Sequence, residues 1–261
     1  APMSAPGSLP DVDDLVAEAV RSHTTDSPRI EAEPELPEPA EPVEVAEPVR
    51  VTTSISVAAV GDMMIGSWGE ELLELRGTDY PFVHVRALVA GADVATGNLE
   101  GPHCSTGEAM QKTYTFRMSP TWLDGYRNAG FEVLNLANNH AMDFGPDCLL
   151  ESIDEIAARG MTSCGAGPDV ASANRPAVVE RNGLRVAVLG YSATFPEEAW
   201  ATDESPGTVF PERAAVIRAV EDASRANDVV VVHLHWGGEA TREPRDYQSE
   251  LARLRAAGAE Q

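Results

Sequence analysis

The chain has 261 residues, and its 42 acidic side chains against 19 basic ones give a formal net charge of −23. This length suits one large domain or two small ones. The negative charge argues against nucleic acid as a partner and against binding to an anionic membrane by charge alone, because phosphate groups bind to basic surfaces.

Residues 1–50 differ in composition from the rest, and proline and glutamate repeat most densely from Glu31 to Arg50. Proline removes backbone donors and neighbouring glutamates repel, so this stretch predicts an extended, solvated linker or a tail without a role. Within it, Asp11–Val20 can form one or two helical turns that are marginal alone. We therefore expect one folded domain over residues 51–261.

From Val51 onward, short apolar strands alternate with amphipathic helices. Between two of the strands, Asn182-Gly183 is a strong hairpin signal, so we expect mixed sheets covered by helices. The predicted strands are Val57–Val60, Ala92–Thr96, Val133–Ala137, Ala177–Glu180, Arg185–Leu189 and Val229–Leu234. The predicted helices are Pro146–Arg159, Pro211–Arg225 and one that begins at Asp246.

Four of the apolar strands are followed within a few residues by a group that can bind a divalent metal. These groups are Asp62, Glu100, Asn139 with His140, and His235. Ligands of α/β sheets gather beyond the carboxyl ends of the strands, so these side chains are expected to meet. Carboxylate, carboxamide and imidazole together suit Mn, Fe, Zn or Mg better than a thiolate-bound ion.

Each of these residues also has a structural interpretation. Gly61-Asp62 is a common turn sequence, and Asn138-Asn139 suits a turn as well. His233 lies two residues before His235 on the same strand face, where a lone histidine is more often part of the core. The repetition at four strand ends favours the metal site over these alternatives.

The cysteines Cys104, Cys148 and Cys164 are widely spaced and odd in number. Neither a CxxC motif nor a zinc-type Cys/His spacing is present. This pattern predicts buried or free thiols.

Four segments together resemble the CapA/PgsA-type poly-γ-glutamate capsule biosynthesis proteins, from about Ile55 to the end of the chain. They are AAVGDMMIG (residues 58–66), GNLE (97–100), ANNHAMDFG (137–145) and HWGGE (235–239). The resemblance implies a calcineurin-like metallophosphatase fold, an α/β/β/α sandwich of two mixed β-sheets flanked by helices. It also implies divalent metal ions, two in number, chosen from Mn, Fe, Zn or Mg.

The resemblance assigns roles to residues that match the family's motifs. The implied metal ligands are Asp62, Glu100 as the bridging carboxylate, Asn139 and His235. The implied catalytic pair is His140 with Asp143, which would orient it. The implied substrate-binding residues are Asn98, Lys112 and Arg117, the last two in the segment QKTYTFRMSP.

By the same resemblance, we expect a metal-dependent phosphoesterase-like protein of capsule biosynthesis. Its expected location is the cell envelope or the outer side of the membrane, with the cytoplasm as the alternative. Its partners would be an anionic polymer or phosphoester substrate and membrane capsule-synthase subunits. The family's Gly-His-x-His element is not found in this sequence, so the domain is expected to lack its C-terminal portion and two imidazole ligands. The alternative is therefore a non-catalytic scaffold or polymer-binding subunit of a membrane complex.

Overall fold

The computed structural model describes residues 54–65, 69–238, 243–246 and 248–249. The chain divides into two compact units, and every element named below belongs to the unit that spans Thr53–Gly238. The linker predicted at residues 1–50 lies outside the described residues, as does most of the helix predicted from Asp246. In the part of the chain that is described, no helix is both long and apolar enough to cross a membrane.

The described unit alternates strands with helices along the chain. The strands are β1 (Val57–Met63), β2 (Val94–Leu99), β3 (Val133–Asn135), β4 (Thr162–Cys164), β5 (Ala166–Gly167), β6 (Ala177–Arg181), β7 (Leu184–Ser192), β8 (Gly207–Thr208) and β9 (Val229–His235). The α-helices are α1 (Glu70–Arg76), α2 (Arg86–Val89), α3 (Leu123–Ala129), α4 (Gly145–Ala158), α5 (Val170–Ala173) and α6 (Arg213–Ala226).

The first sheet is entirely parallel and has the strand order β1-β2-β3-β4. Each crossover carries helical segments, as parallel pairing requires. All residues of β2 and β3 are buried, which explains why the apolar residues of these strands do not alternate with exposed polar ones. Because the strands are parallel, their carboxyl ends lie at one edge of the sheet.

The second sheet has the order β6-β7-β9 and is mixed. β6 pairs with β7 antiparallel, and β7 pairs with β9 parallel. The predicted hairpin is confirmed: Asn182 and Gly183 both have positive φ, at 55° and 76°, as a type I′ turn requires. β5 and β8 form a separate two-stranded ribbon.

Three contacts between buried apolar side chains define four layers: helices, the first sheet, the second sheet and a further helix. One cluster joins the facing surfaces of the sheets and includes Val94, Val133, Val186 and Val188. The opposite face of the first sheet packs on α3 and α4, through clusters that include Leu134, Leu123, Tyr126, Leu149 and Ile156. The opposite face of the second sheet packs on α6, through Leu189, Val216, Val220 and Ala223 among others. The expected mixed α/β fold is thus present.

Two close approaches join the sheets near their carboxyl edge. His233 Nε2 on β9 lies 2.9 Å from Thr96 Oγ1 on β2, so His233 is a partnered residue between the sheets. Gly190 on β7 passes so close to β3 that a Cβ there would lie 1.9 Å from Asn135 Oδ1. Only glycine therefore permits the present position of the Asn135 side chain.

The prediction of free thiols is wrong for two of the three cysteines. Cys104 and Cys148 form a disulfide, with their Cα atoms 5.3 Å apart. They are 44 residues apart in sequence, so their spacing could not reveal the pairing, which depends on how the segment after β2 returns to α4. Cys164 is free and buried, as predicted, and burial raises the pKa of its thiol to about 12.

Candidate metal centre

Asp62, Glu100 and His235 come together at the carboxyl edge of the sheets. One potential ligand atom from each lies within 4.8 Å of the others. His235 Nδ1 is 3.4 Å from Asp62 Oδ1 and 3.9 Å from Glu100 Oε2. Two carboxylates and one imidazole form a donor set that suits a hard or borderline divalent cation.

Local backbone features direct these side chains toward one another. β1 extends beyond its predicted end, and its pairing with β2 shifts register between Val60 and Asp62. Such an irregularity re-aims a side chain at a strand end, and it places Asp62 opposite Asn98. Glu100 directly follows β2, and His235 is the last residue of β9.

Asn98 links the two carboxylates to the end of β3. Its Nδ2 donates to Asp62 Oδ1 at 2.7 Å and to Glu100 Oε2 at 2.6 Å. Its Oδ1 accepts from the side-chain amides of Asn135, at 2.9 Å, and Asn138, at 3.1 Å. Asn98 was predicted beside Glu100 and as a substrate contact. The structure places its amide on the two candidate ligand carboxylates, and its role in substrate binding stays a prediction.

Asn139, a predicted metal ligand, lies on the far side of the His235 ring. Its Oδ1 is 2.8 Å from His235 Nε2. The carboxamide oxygen can only accept, so Nε2 carries a proton, which is assigned from its partner. Nδ1 then faces the two carboxylates, where it can carry the second proton of a charged imidazole or offer a lone pair to a metal ion. Asn139 thus orients the imidazole, as outer partners of metal-bound histidines commonly do.

The proton affinities of the three groups reflect this crowding. Burial raises the pKa of Glu100, and the negative charge of Asp62 raises it further. The charge of His235 acts in the opposite direction but does not cancel this increase. The hydrogen bond with His235 lowers the pKa of Asp62 despite its partial burial. Burial disfavours protonated His235, but the bond to Asp62 and the nearby carboxylate charges outweigh it, so the pKa of His235 is raised. The cluster therefore favours a cation, either a proton or a metal ion.

His140 lies beside this cluster and is held by Asp143. His140 Nδ1 is 2.7 Å from Asp143 Oδ2, and its Nε2 is 4.0 Å from Glu100 Oε1. The Phe116 ring packs against the imidazole with ring centroids 4.4 Å apart. Lys112 Nζ contacts Asp143 Oδ1 at 2.5 Å. The structure thus brings together the two residues predicted as a catalytic pair.

Arg117, the remaining predicted substrate contact, points elsewhere. Its guanidinium stacks over the Phe144 ring, 4.4 Å from the ring centroid, and donates to the Thr106 carbonyl at 3.4 Å. Its role in substrate binding stays a prediction. Asn135, Asn138 and Phe116 were not predicted as site residues. The repeated asparagines between Asn135 and Asn139 were the available signal for the first two.

Comparisons with known proteins agree on one family. A model of the family described as "Bacterial capsule synthesis protein PGA_cap" matches residues 56–260. The PGA biosynthesis protein CapA of Bacillus subtilis is 30% identical over 202 residues, which cover 76% of this chain and 53% of that protein. The capsule biosynthesis protein CapA of Bacillus anthracis is 31% identical over 212 residues, covering 78% and 52%.

A probable polyglutamine synthesis accessory protein of Mycobacterium tuberculosis is 31% identical over 182 residues, which cover 65% of this chain and 45% of that protein. The chain thus spans about half the length of the curated relatives it matches. The structural match to a solved protein of unknown function from Aquifex aeolicus covers 74% of this chain and 84% of the Aquifex chain. Its TM-score of 0.29 at 13% identity is too low to support any argument.

Proposed function

This chain belongs to the bacterial capsule synthesis protein family, and we propose that it acts as a metal-dependent phosphoesterase in the synthesis of an anionic capsule polymer, poly-γ-glutamate or a related one. The names of the Bacillus relatives support the biosynthetic role. The observation that carries the proposed chemistry is the convergence of Asp62, Glu100 and His235 at one edge of the sheets, beside His140.

The layered architecture supports a fold of the metallophosphatase type. Two sheets face each other through an apolar core, and helices cover both outer faces. The candidate ligands lie at the carboxyl ends of β1, β2 and β9, where α/β sheets place their ligands. The finer assignment to the calcineurin-like sandwich is part of this proposal.

The donor set fits a divalent ion held by Asp62, Glu100 and His235. Bound there, the ion would supply Lewis-acid polarisation of a phosphoryl oxygen and a lowered pKa for a coordinated water. Burial of Glu100 next to Asp62 is costly without a cation, as the raised pKa of Glu100 indicates. Asn98 holds both carboxylates in place through its Nδ2.

His140 would transfer a proton at the oxygen of the leaving group. Asp143 accepts from His140 Nδ1 at 2.7 Å, which leaves Nε2 as the atom that faces the metal-ligand cluster. A histidine in this arrangement serves as a general acid when protonated. Phe116 and Asp143 hold the imidazole on two sides, so its orientation is set before substrate binds.

The proposed partners are an anionic polymer or phosphoester substrate and the membrane subunits of a capsule synthase. The protein's charge of −23 repels an anionic substrate, so attraction would depend on the bound metal. We place this activity at the cell envelope, where a capsule is assembled.

The first test is metal binding, measured by elemental mass spectrometry after loading with Mn, Fe, Zn or Mg. We expect the unmodified protein to retain metal and Asp62→Asn and His235→Gln to lose it. The matched control is His84→Gln, because His84 is exposed and lies outside the site. Failure of the unmodified protein to bind any of these ions refutes the site.

The second test is turnover of aryl phosphates and phosphodiesters by the metal-loaded protein. We expect His140→Gln to abolish turnover while metal content stays unchanged, because His140 acts on the leaving group. A metal-loaded protein that hydrolyses none of these substrates contradicts the phosphoesterase proposal and favours the scaffold role.

A further inference from the structure

Lys112 is the single lysine of the chain, and its amine is turned toward the protein. Its Nζ donates to Asp143 Oδ1 at 2.5 Å and to the Asn139 carbonyl at 2.7 Å. The side chain is only 22% exposed. The positive charge is thus balanced by a carboxylate of the protein and is not free for an anionic substrate.

Asp143 is fully buried and uses both of its oxygens. Oδ1 accepts from Lys112, while Oδ2 accepts from the Phe116 backbone N–H at 2.7 Å and contacts His140 Nδ1 at 2.7 Å. A buried carboxylate is held in one orientation only when all its partners are present, and loss of one leaves uncompensated charge. Lys112 therefore controls the carboxylate that orients His140.

The segment that carries the amine is anchored to α4 by two separate contacts. Cys104 is bonded to Cys148 in the first turn of that helix. One turn further on, the Glu151 carboxylate accepts from the backbone N–H and hydroxyl groups of Ser105 and Thr106. The loop is thus held at its start against the helix that begins two residues after Asp143. Nearer to the amine, the Met110 N–H donates to the Asp143 carbonyl at 2.8 Å, which anchors the backbone two residues before Lys112.

Building on the phosphoesterase function proposed above, we propose that Lys112 is a positioning residue for His140. It fixes Asp143, and Asp143 in turn fixes the imidazole with Nε2 facing Glu100, 4.0 Å from its carboxylate. This role replaces the substrate contact expected from the sequence. It assigns Lys112 to the step in which His140 transfers its proton, and not to substrate binding.

The kinetic test compares Lys112→Met with Gln111→Met in the full chain loaded with metal. Gln111 lies next to Lys112 in the same loop, is exposed and has no predicted role in the site. A small displacement of a reacting group costs up to about 100-fold in rate, so we expect Lys112→Met to lower kcat by about 10- to 100-fold. KM and metal content should stay unchanged, and Lys112→Arg should restore part of kcat. A raised KM with unchanged kcat would instead identify a substrate contact and overturn the proposal.

A second readout does not depend on activity. In protein carrying isotope-labelled lysine, NMR detects one side-chain amine, and its two short hydrogen bonds should slow its exchange with water. We expect Asp143→Asn to remove this protected signal and Gln111→Met to retain it. An amine that exchanges like a free lysine overturns the proposal even if the protein is active. If no phosphoester is hydrolysed, the phosphoesterase function fails while the amine signal still decides the role of Lys112.

Discussion

Removal of the Cys104–Cys148 disulfide is expected to destabilise the protein strongly. The bond closes a loop across a sequence separation of 44 residues. In the chain-entropy model, a loop of this length corresponds to about 4 kcal/mol, and native disulfides usually contribute about 2–4 kcal/mol. With a urea dependence of about 2 kcal/mol per molar, the unfolding midpoint should fall by about 1–2 M.

The assay is urea unfolding of the unmodified protein with and without reductant, alongside the double variant Cys104→Ala/Cys148→Ala. Cys164→Ala is the matched control, because Cys164 is also buried but forms no disulfide. This variant should keep its response to reductant, whereas the double variant should lose it. Thiol titration of the denatured, unreduced protein should find one free cysteine. Three free thiols, or midpoints that do not respond to reductant, would refute the reasoning.

Two further predictions concern buried positions. Burial lowers the pKa of His103 from 6.5 to about 3, and neither ring nitrogen has a hydrogen bond of normal geometry. Between those values the unfolded chain binds a proton that the folded protein does not, so from pH 7 to 4.5 this group should remove about 2–3 kcal/mol of stability. In urea unfolding, His103→Leu should abolish that loss and the exposed His84→Leu should not. Gly190→Ala should lower the free energy of unfolding by about 1–3 kcal/mol and weaken metal binding, because the new Cβ would displace the Asn135 side chain. Gly61→Ala is the control: Gly61 has open space around it, so its unfolding midpoint should be nearly unchanged. Equal midpoints for the two variants would contradict the close approach of Gly190 to Asn135.

Much of the fold was accessible from the sequence because its signals are local. Apolar runs between turn residues marked β2, β3, β7 and β9, and the Asn-Gly dipeptide marked the hairpin before β7. The strand boundaries were less accessible. β1 continues three residues past its predicted end because its pairing with β2 shifts register, and no local residue pattern encodes such a shift.

The candidate site was predictable in its residue types but not in its connections. Carboxylates and imidazoles after successive strands indicated a metal site, since parallel strands end at a common edge. The sequence placed Asn139 among the ligands and Lys112 on the substrate. The structure places Asn139 on His235 Nε2 and Lys112 on Asp143, because side-chain direction depends on neighbours that are distant in sequence.

By itself, then, the sequence determined the alternation of strands and helices, the family, and the chemical types gathered at the strand ends. These features are encoded in short motifs and in periodic burial. Only the tertiary structure decided that Cys104 meets Cys148, that Asn98 joins Asp62 to Glu100, and which atom of each ring or carboxylate faces the centre. Such contacts join segments tens of residues apart, and they exist only once the layers have packed and each buried polar group has found its partner.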